Sequence, residues 1–512
     1  MEPEIKSSCE NWKIFLIILG IVFLTLLPGT HTDFAHHDDY QAFDYSKDPS
    51  RDAILFDLLV RLGRPITAHL LNLEYYLINN KINRTYLLRY AGMICIAMSA
   101  FLFFQYSKIL SLNERDSLLL VLGMFLMPPF VFSVIAINNF CALLSCLLSI
   151  LSFFSGIQVG SKGNLKNYRI LFVLLTLAVF LLSLLIYPAS SMFYWAMLGA
   201  LITTQNRVSW ESWKTRIYCL LAMGCSSMVL YKIYLSWSIY YFGDHCTGSY
   251  CISKIVSPME NIKFFIDQIL FRASNLWNIY PTKGFALVVF GIILTGVLLE
   301  IIIGINEKPR EVSMKSLAMF LFQKLIGLLG MICLSAVPSL LSTYHMDTYR
   351  TLGPLISLIC ILLFWSFENI IYFVPRGIKF RLKTVVLVLF CVASIHQANQ
   401  NTTIQAFGDT IEYRFVKANL RQNMNSLKDY RNIHITFGNY AALITPKPPI
   451  ADEFFFPTSR HGNSRYMVVA AMRELGFENI LETWEITFGS EVISHPEPST
   501  LFIDFSQMEF FY

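Results

Sequence analysis

Charge is scarce in this chain. Asp, Glu, Lys and Arg make up 15% of its 512 residues, while 55% are hydrophobic. A soluble globular domain carries about a quarter charged residues, so the composition excludes a water-soluble fold over the whole length. The net charge of +5 is small and falls mostly in short loops, which sets membrane orientation and leaves no basic footprint for nucleic acid. Internal repeats and low-complexity stretches are absent too, which argues against an inverted-repeat transporter. The last hundred or so residues hold no cysteine, no nucleotide-binding loop, no G-x-G-x-x-G and no cluster of metal ligands.

Long apolar runs fill the rest of the chain. A helix needs about 20 mostly apolar residues to cross the hydrocarbon core. Eleven candidate spans follow, at 12–27, 87–104, 118–135, 140–158, 170–186, 191–204, 217–235, 285–305, 320–340, 354–374 and 384–395. The 42 Phe and 25 Tyr suit lipid contact and interfacial belts. No small-residue cleavage site follows the first run, so it reads as a span and not a signal peptide.

Lys and Arg in the short loops orient these spans. With the N-terminus inside, Lys108, Arg115, Lys162, Lys166, Arg169, Arg207, Lys214, Arg216, Lys308, Arg310, Lys315, Arg376, Lys379, Arg381 and Lys383 all lie inside. The opposite turns carry only Arg350. Two long loops, 29–86 and 236–283, then lie outside, as does a soluble tail, 398–512, following a membrane domain over 1–397. In the tail, Ile433 to Phe437 and Glu485 to Phe488 alternate like strands and Tyr466 to Leu475 has helical periodicity. A small α/β or α+β domain is expected there.

Nine of the eleven cysteines lie in or near spans or inside, as small buried hydrophobes. The other two, Cys246 and Cys251 in DHCTGSYC, fall in the second outer loop. A disulfide between them suits the oxidising side; free thiols and a metal knuckle are the alternatives, the last short of ligands.

The first outer loop, HTDFAHHDDYQAFDYSKDPSRD, crowds Asp33, Asp38, Asp39, Asp44, Asp48 and Asp52 directly after the first span. A carboxylate at a membrane interface is partly desolvated, which raises its pKa and its use as a base, and the repulsion within Asp38–Asp39 pushes the same way. A solvated acidic loop is the bland reading; His36, His37 and the later Gly63-Arg64-Pro65 count against it. Residues 53–78 form amphipathic segments that lie in the interface plane or wall a cavity. An Arg at that depth, such as Arg64, suits a lipid phosphate. Arg350, in YHMDTYRTLGPL with Tyr344, His345, Asp347 and Tyr349 near it, either snorkels or binds phosphate.

HHDDY after the first span, LGRP in a juxtamembrane helix, YPASSMFYW opening one span and YRTLGP opening another together resemble the type II O-antigen glucosyltransferases, the phage-type serotype-converting enzymes of enteric bacteria. The resemblance covers most of the membrane part, in order, and departs where Pro188 stands in place of the family's Gln. It implies a GT-C-like α-helical polytopic membrane protein of the bacterial inner membrane. Its expected reaction is periplasmic transfer of glucose from undecaprenyl-phosphate glucose to an O-antigen sugar. On that resemblance Asp38 and Asp39 are candidate bases, Asp39 ahead because Asp38 follows two His residues that would tie it into a hydrogen-bond network, with Asp33, Asp44 and Asp347 next. Arg64 and Arg350 are expected to bind the donor phosphate, and His37, Tyr187, Tyr344 and Asp347 the substrates. No cofactor is expected; a divalent metal could help, but Arg and Lys alone can stabilise a phosphate leaving group. Other lipid-donor glycosyltransferases, flippases and O-antigen polymerases are the rival classes.

Overall fold

The computed structural model describes residues 8–32, 34–45, 49–79, 81–110, 112–159, 168–204, 207–242, 258–277, 282–306, 314–341, 349–425, 430–436, 464–477, 485–489 and 499–504. The first apolar run forms α1 (Ser8–Thr30). The acidic loop then folds as α2 (His37–Tyr45), α3 (Pro49–Arg61) and α4 (Pro65–Leu77). A bundle follows: α5 (Thr85–Ile109), α6 (Glu114–Phe125), α7 (Pro128–Ile135), α8 (Phe140–Val159), α9 (Arg169–Ile186), α10 (Pro188–Ser191), α11 (Phe193–Thr204) and α12 (Arg207–Phe242). Then come α13 (Pro258–Phe264) and α14 (Leu270–Ser274), both within the expected loop 236–283, followed by α15 (Thr282–Asn306), α16 (Met314–Ser335), α17 (Val337–Leu341), α18 (Tyr349–Ile370) and α19 (Arg376–Gln422).

Eight of these helices are long and apolar enough to cross a membrane, or nine if α6 and α7, bent by 55° across the break at Leu126–Met127, count as one broken span. The chain is therefore a multi-pass helical membrane protein. The two other expected spans are helical but differ from expectation. The first, α11, has only 12 residues and is buried almost throughout. The last is the start of α19, whose 47 residues turn polar beyond the apolar run. Contacts still carry α19 through the bundle. Lys383 pairs with Asp116 at the start of α6 (2.8 Å). Thr402 packs against Gly29 at the end of α1 so closely that a Cβ on Gly29 would lie 2.5 Å from the Thr402 backbone. Nineteen residues separate Lys383 from Thr402, about 28 Å of helix, close to the hydrocarbon thickness of about 30 Å.

The bundle has two unlike ends. Lys108, Arg169 and Lys383 stand where α5 stops and where α9 and α19 start. The α2–α4 segments, the short α10 and the start of α18 stand at the other end. Aromatic rings fill the interior: Tyr194 stacks on Phe180 at 4.5 Å, and Phe103, Phe125, Phe130 and Phe193 form a ring cluster.

The tail is α/β. Strands β1 (Asn432–Thr436), β2 (Glu485–Gly489) and β3 (Thr500–Asp504) form a parallel sheet in the order β2-β1-β3, and α20 (Ser464–Glu474) shares a buried core with it. Both expected strands and the expected helix are present. The 397/398 boundary, however, falls inside α19, which runs unbroken from membrane to tail. A second hydrophobic core, distinct from that of the bundle, gathers Tyr40 and Phe43 of α2, Leu71 and Tyr75 of α4, Tyr413 and Leu420 of α19, and Ile433, Met467 and Ile503 of the tail. The α2–α4 segment and the tail therefore pack as one cap.

Candidate active site

The acidic motif is anchored by Asp39. Its side chain is fully buried, and three backbone amides donate to it: His36 N–H to Oδ2 (3.0 Å), Ile137 N–H to Oδ2 (3.1 Å) and Asn138 N–H to Oδ1 (2.9 Å). His36 leads into α2, and Ile137–Asn139 is the 3-10 turn that opens α8. One carboxylate thus satisfies the orphan amides of two helix N-termini, whose dipoles favour negative charge. Burial pushes Asp39 up to about 7, against the pull of those amides and of Arg89.

Arg89 does the converse. It lies in α5, fully buried, and its guanidinium donates to Ile135 O (3.1 Å), Thr30 O (3.5 Å), Thr32 O (3.1 Å) and Phe34 O (2.6 Å). Its Cζ sits 3.7 Å over the Phe34 ring. These carbonyls end α1 and α7 or lie just beyond α1, where cations are favoured. Asp39 and Arg89 together fix the entry of the chain into α2. An Arg inside an apolar span is a functional signal by default, and sequence reasoning passed over Arg89.

LGRP has a local explanation. Gly63 has φ +76. Its N–H donates to Val60 O (3.0 Å), and Arg64 N–H donates to Leu59 O (2.8 Å). This is the Schellman pattern closing α3. Pro65 then opens α4 at its first position, where its missing N–H costs nothing. Tyr231 Oη donates to Gly63 O (3.2 Å), so a Cβ at Gly63 would lie 2.3 Å from that hydroxyl. Arg64 projects from the corner. Its Cζ lies 4.5 Å over the Tyr187 ring, which brings two expected site residues together. Tyr187 is held in extended backbone between α9 and α10. Ser145 Oγ reaches Tyr187 O (2.9 Å) and Thr67 Oγ1 reaches Ile186 O. Pro188, at the first position of α10, supplies a helix start where a Gln would supply an amide.

Arg350 opens α18 on the other side of α10. It lines a small cleft with Pro129 and Ser133 of α7, Cys146 of α8, Ser190 of α10 and Gly353. Residues 187–190 thus run from the Arg64 corner to the Arg350 cleft. Helix α7 runs from that same cleft to the Asp39 turn.

Glu74, also unforeseen, completes the group. It is 3% exposed. Cys141 Sγ–H donates to its Oε1 (3.4 Å), and burial, with a smaller push from the Asp39 charge, raises it to about 8. It is therefore mostly protonated at neutral pH. Among the described residues, Arg64 Nε, Glu74 Oε2, Asn138 Oδ1 and Asn139 Nδ2 are buried without a hydrogen-bond partner. Buried polar groups are normally paired, and these four lie on α4, its N-cap and the α7–α8 turn.

The side chains of His37 and Asp38 lie outside the described residues, although α2 carries their backbone. Asp33, Tyr344, Asp347, Cys246 and Cys251 lie outside them altogether. Asp44 is placed, and pairs with Arg473 of α20 (2.8 Å), which joins α2 to the tail.

No protein-family model matches the chain, and no curated protein sequence matches it. Among solved structures it is similar to the archaeal oligosaccharyltransferase AglB from Archaeoglobus fulgidus in complex with an inhibitory peptide and a dolichol-phosphate, at 8% identity and a TM-score of 0.40 over 86% of this chain. It is also similar to the apo form of the Archaeoglobus fulgidus oligosaccharyltransferase, at 9% identity and a TM-score of 0.39 over 86% of this chain. In each case the chain spans 64% of the other protein's length.

Proposed function

We propose that the protein is a membrane glycosyltransferase that takes its sugar from a polyprenyl phosphate, and that the sugar is glucose, moved from undecaprenyl-phosphate glucose to an O-antigen sugar at the periplasmic face. One observation carries the reading. The acidic helix α2, Arg64 on Tyr187, and the Arg350 cleft meet around the α7–α8 turn, at the end of the bundle opposite Lys108, Arg169 and Lys383. That site faces the periplasm by the rule that positive loops stay inside.

The chemistry follows from which polar atoms are committed. Both oxygens of Asp39 accept backbone amides and the residue has no exposure, so its role is to hold α2, which reverses the expected order of the pair. Asp38, its neighbour on the same helix, is the base. As the acceptor hydroxyl oxygen attacks the anomeric carbon, its proton passes to Asp38. The bond from that carbon to the phosphate oxygen breaks, and the electron pair leaves with the lipid phosphate. Attack from the face opposite the phosphate inverts the anomeric centre. Arg64 and Arg350 stabilise the charge growing on the leaving phosphate.

The test is direct. Purified protein mixed with undecaprenyl-phosphate glucose and O-antigen should release free undecaprenyl phosphate and yield glucosylated polysaccharide. Donor crossing a vesicle membrane without any release of undecaprenyl phosphate would make the protein a flippase instead.

A further inference from the structure

A cleft of about 520 Å³ lies away from the reacting groups, in the cap. Its lining includes Tyr413, Arg414, Lys417 and Arg421 of α19, Glu474 of α20, and Asn83 just before α5. The cations recur at three- and four-residue spacing, which sets them on one face of the helix. Lys417 is held by Glu474 at 2.5 Å. Arg414 and Arg421 are exposed, and neither makes a hydrogen bond or ion pair among the described residues. Three cations against one carboxylate leave the cleft electropositive.

Height above the membrane decides what fills it. Thr402 is level with the end of α1. Arg414 lies twelve and Arg421 nineteen residues further along the same unbroken helix, about 18 and 28 Å on. With α19 upright, the headgroup layer of about 5–8 Å per leaflet ends below both arginines, while Asn83, at the start of the α5 span, marks the membrane side of the cleft. The cleft is nevertheless close to the site. The Tyr413 ring on its wall lies 5.9 Å from that of Tyr40, the residue after Asp39.

We propose that this cleft binds an anionic glycan, one bearing carboxylate or phosphate groups, and thereby holds the acceptor polysaccharide above the acidic helix α2. The binding stands on the cleft alone; only the word acceptor rests on the transferase reading. Arg414 and Arg421 grip the anion in bidentate fashion, and Lys417, braced by Glu474, supplies a fixed charge.

The experiment measures binding to the full-length protein in detergent, without donor. The probes are a short galacturonate oligomer and a phosphomannan oligosaccharide. The galacturonate methyl ester and dihexanoyl phosphatidylglycerol serve as controls. At least one anionic oligosaccharide should bind, more weakly as salt rises. The Arg414→Gln/Arg421→Gln variant should bind it about tenfold or more weakly and melt at the wild-type temperature, since both side chains are exposed. Equal binding of the methyl ester, unchanged affinity in the variant, stronger binding of the phosphatidylglycerol, or no binding of either anionic probe would each overturn the proposal. Salt-dependent glycan binding by a protein that releases no undecaprenyl phosphate would keep this site and discard the transferase reading.

Discussion

Two arginines at the same end of the bundle have opposite surroundings. Arg89 has each of its three nitrogens on a backbone carbonyl and a ring beneath it. Arg64 rests on one ring, Tyr187, and its Nε has no partner among the described residues. The first arrangement is complete and the second is not. The carboxylates divide the same way: Asp39 is taken up by three amides, while Glu74 keeps one oxygen unpaired. Charge buried at the mouth of a bundle is costly unless paired. Groups with every polar atom committed hold the frame, while Arg64 and Glu74 keep polar atoms open.

Breaking the Arg89 knot should have the largest effect. Arg89→Met leaves the carbonyls of Thr32, Phe34 and Ile135 without their donor, each worth roughly 1–3 kcal/mol. The melting temperature in detergent should fall sharply, with activity lost in proportion to folded protein. A variant that melts normally would mean that the knot holds nothing.

Arg64→Lys should act on turnover instead. The ammonium keeps the charge but loses the planar stack on Tyr187 and the paired donors. Turnover should fall about tenfold at an unchanged melting temperature. A drop in melting temperature as large as that of Arg89→Met would erase the distinction between the two arginines.

Glu74→Gln sharpens the carboxylate half through pH. Glu74 is raised from 4.5 to about 8 in the folded protein, so the folded state holds a proton that the unfolded state has released. Its contribution to stability is full below pH 4.5 and is lost as pH rises towards 8. Asp39, raised from 3.8 to about 7, adds a slope of the same sign at slightly lower pH. Glu74→Gln stays neutral, so it should melt close to wild type at pH 5 and above wild type at pH 8.5. Parallel melting curves for the two proteins at both pH values would show that Glu74 is charged in the fold.

The sequence reveals what lies close along the chain. Apolar run length exposes most of the spans, and alternation exposes β1 and β2. The LGRP corner is equally legible, since a left-handed Gly, an Arg and a Pro in that order stop one helix and start another. What pairs across the chain is hidden. Asp39 looks like half of a repelling acidic pair until Ile137 and Asn138 arrive from about a hundred residues away. Glu74 reads as one polar residue on an amphipathic helix until Cys141 covers it. The span count suffers for a related reason: α11 is short because it is enclosed by other helices instead of lipid. The continuous α19 hides the start of the tail, because polar residues follow apolar ones there without a helix break.

The most direct test sets Asp38 against Asp39. Asp38→Asn and Asp39→Asn are purified in parallel, and each is measured for melting temperature and for release of undecaprenyl phosphate per folded molecule. Asp38→Asn should melt like wild type and turn over about 100-fold or more slowly. Asp39→Asn should melt lower, because an amide NH2 now faces backbone N–H groups, while the molecules that remain folded keep a larger share of activity. If Asp38→Asn turns over normally, or if Asp39→Asn keeps its stability and loses the reaction, the division of the pair into base and anchor is wrong.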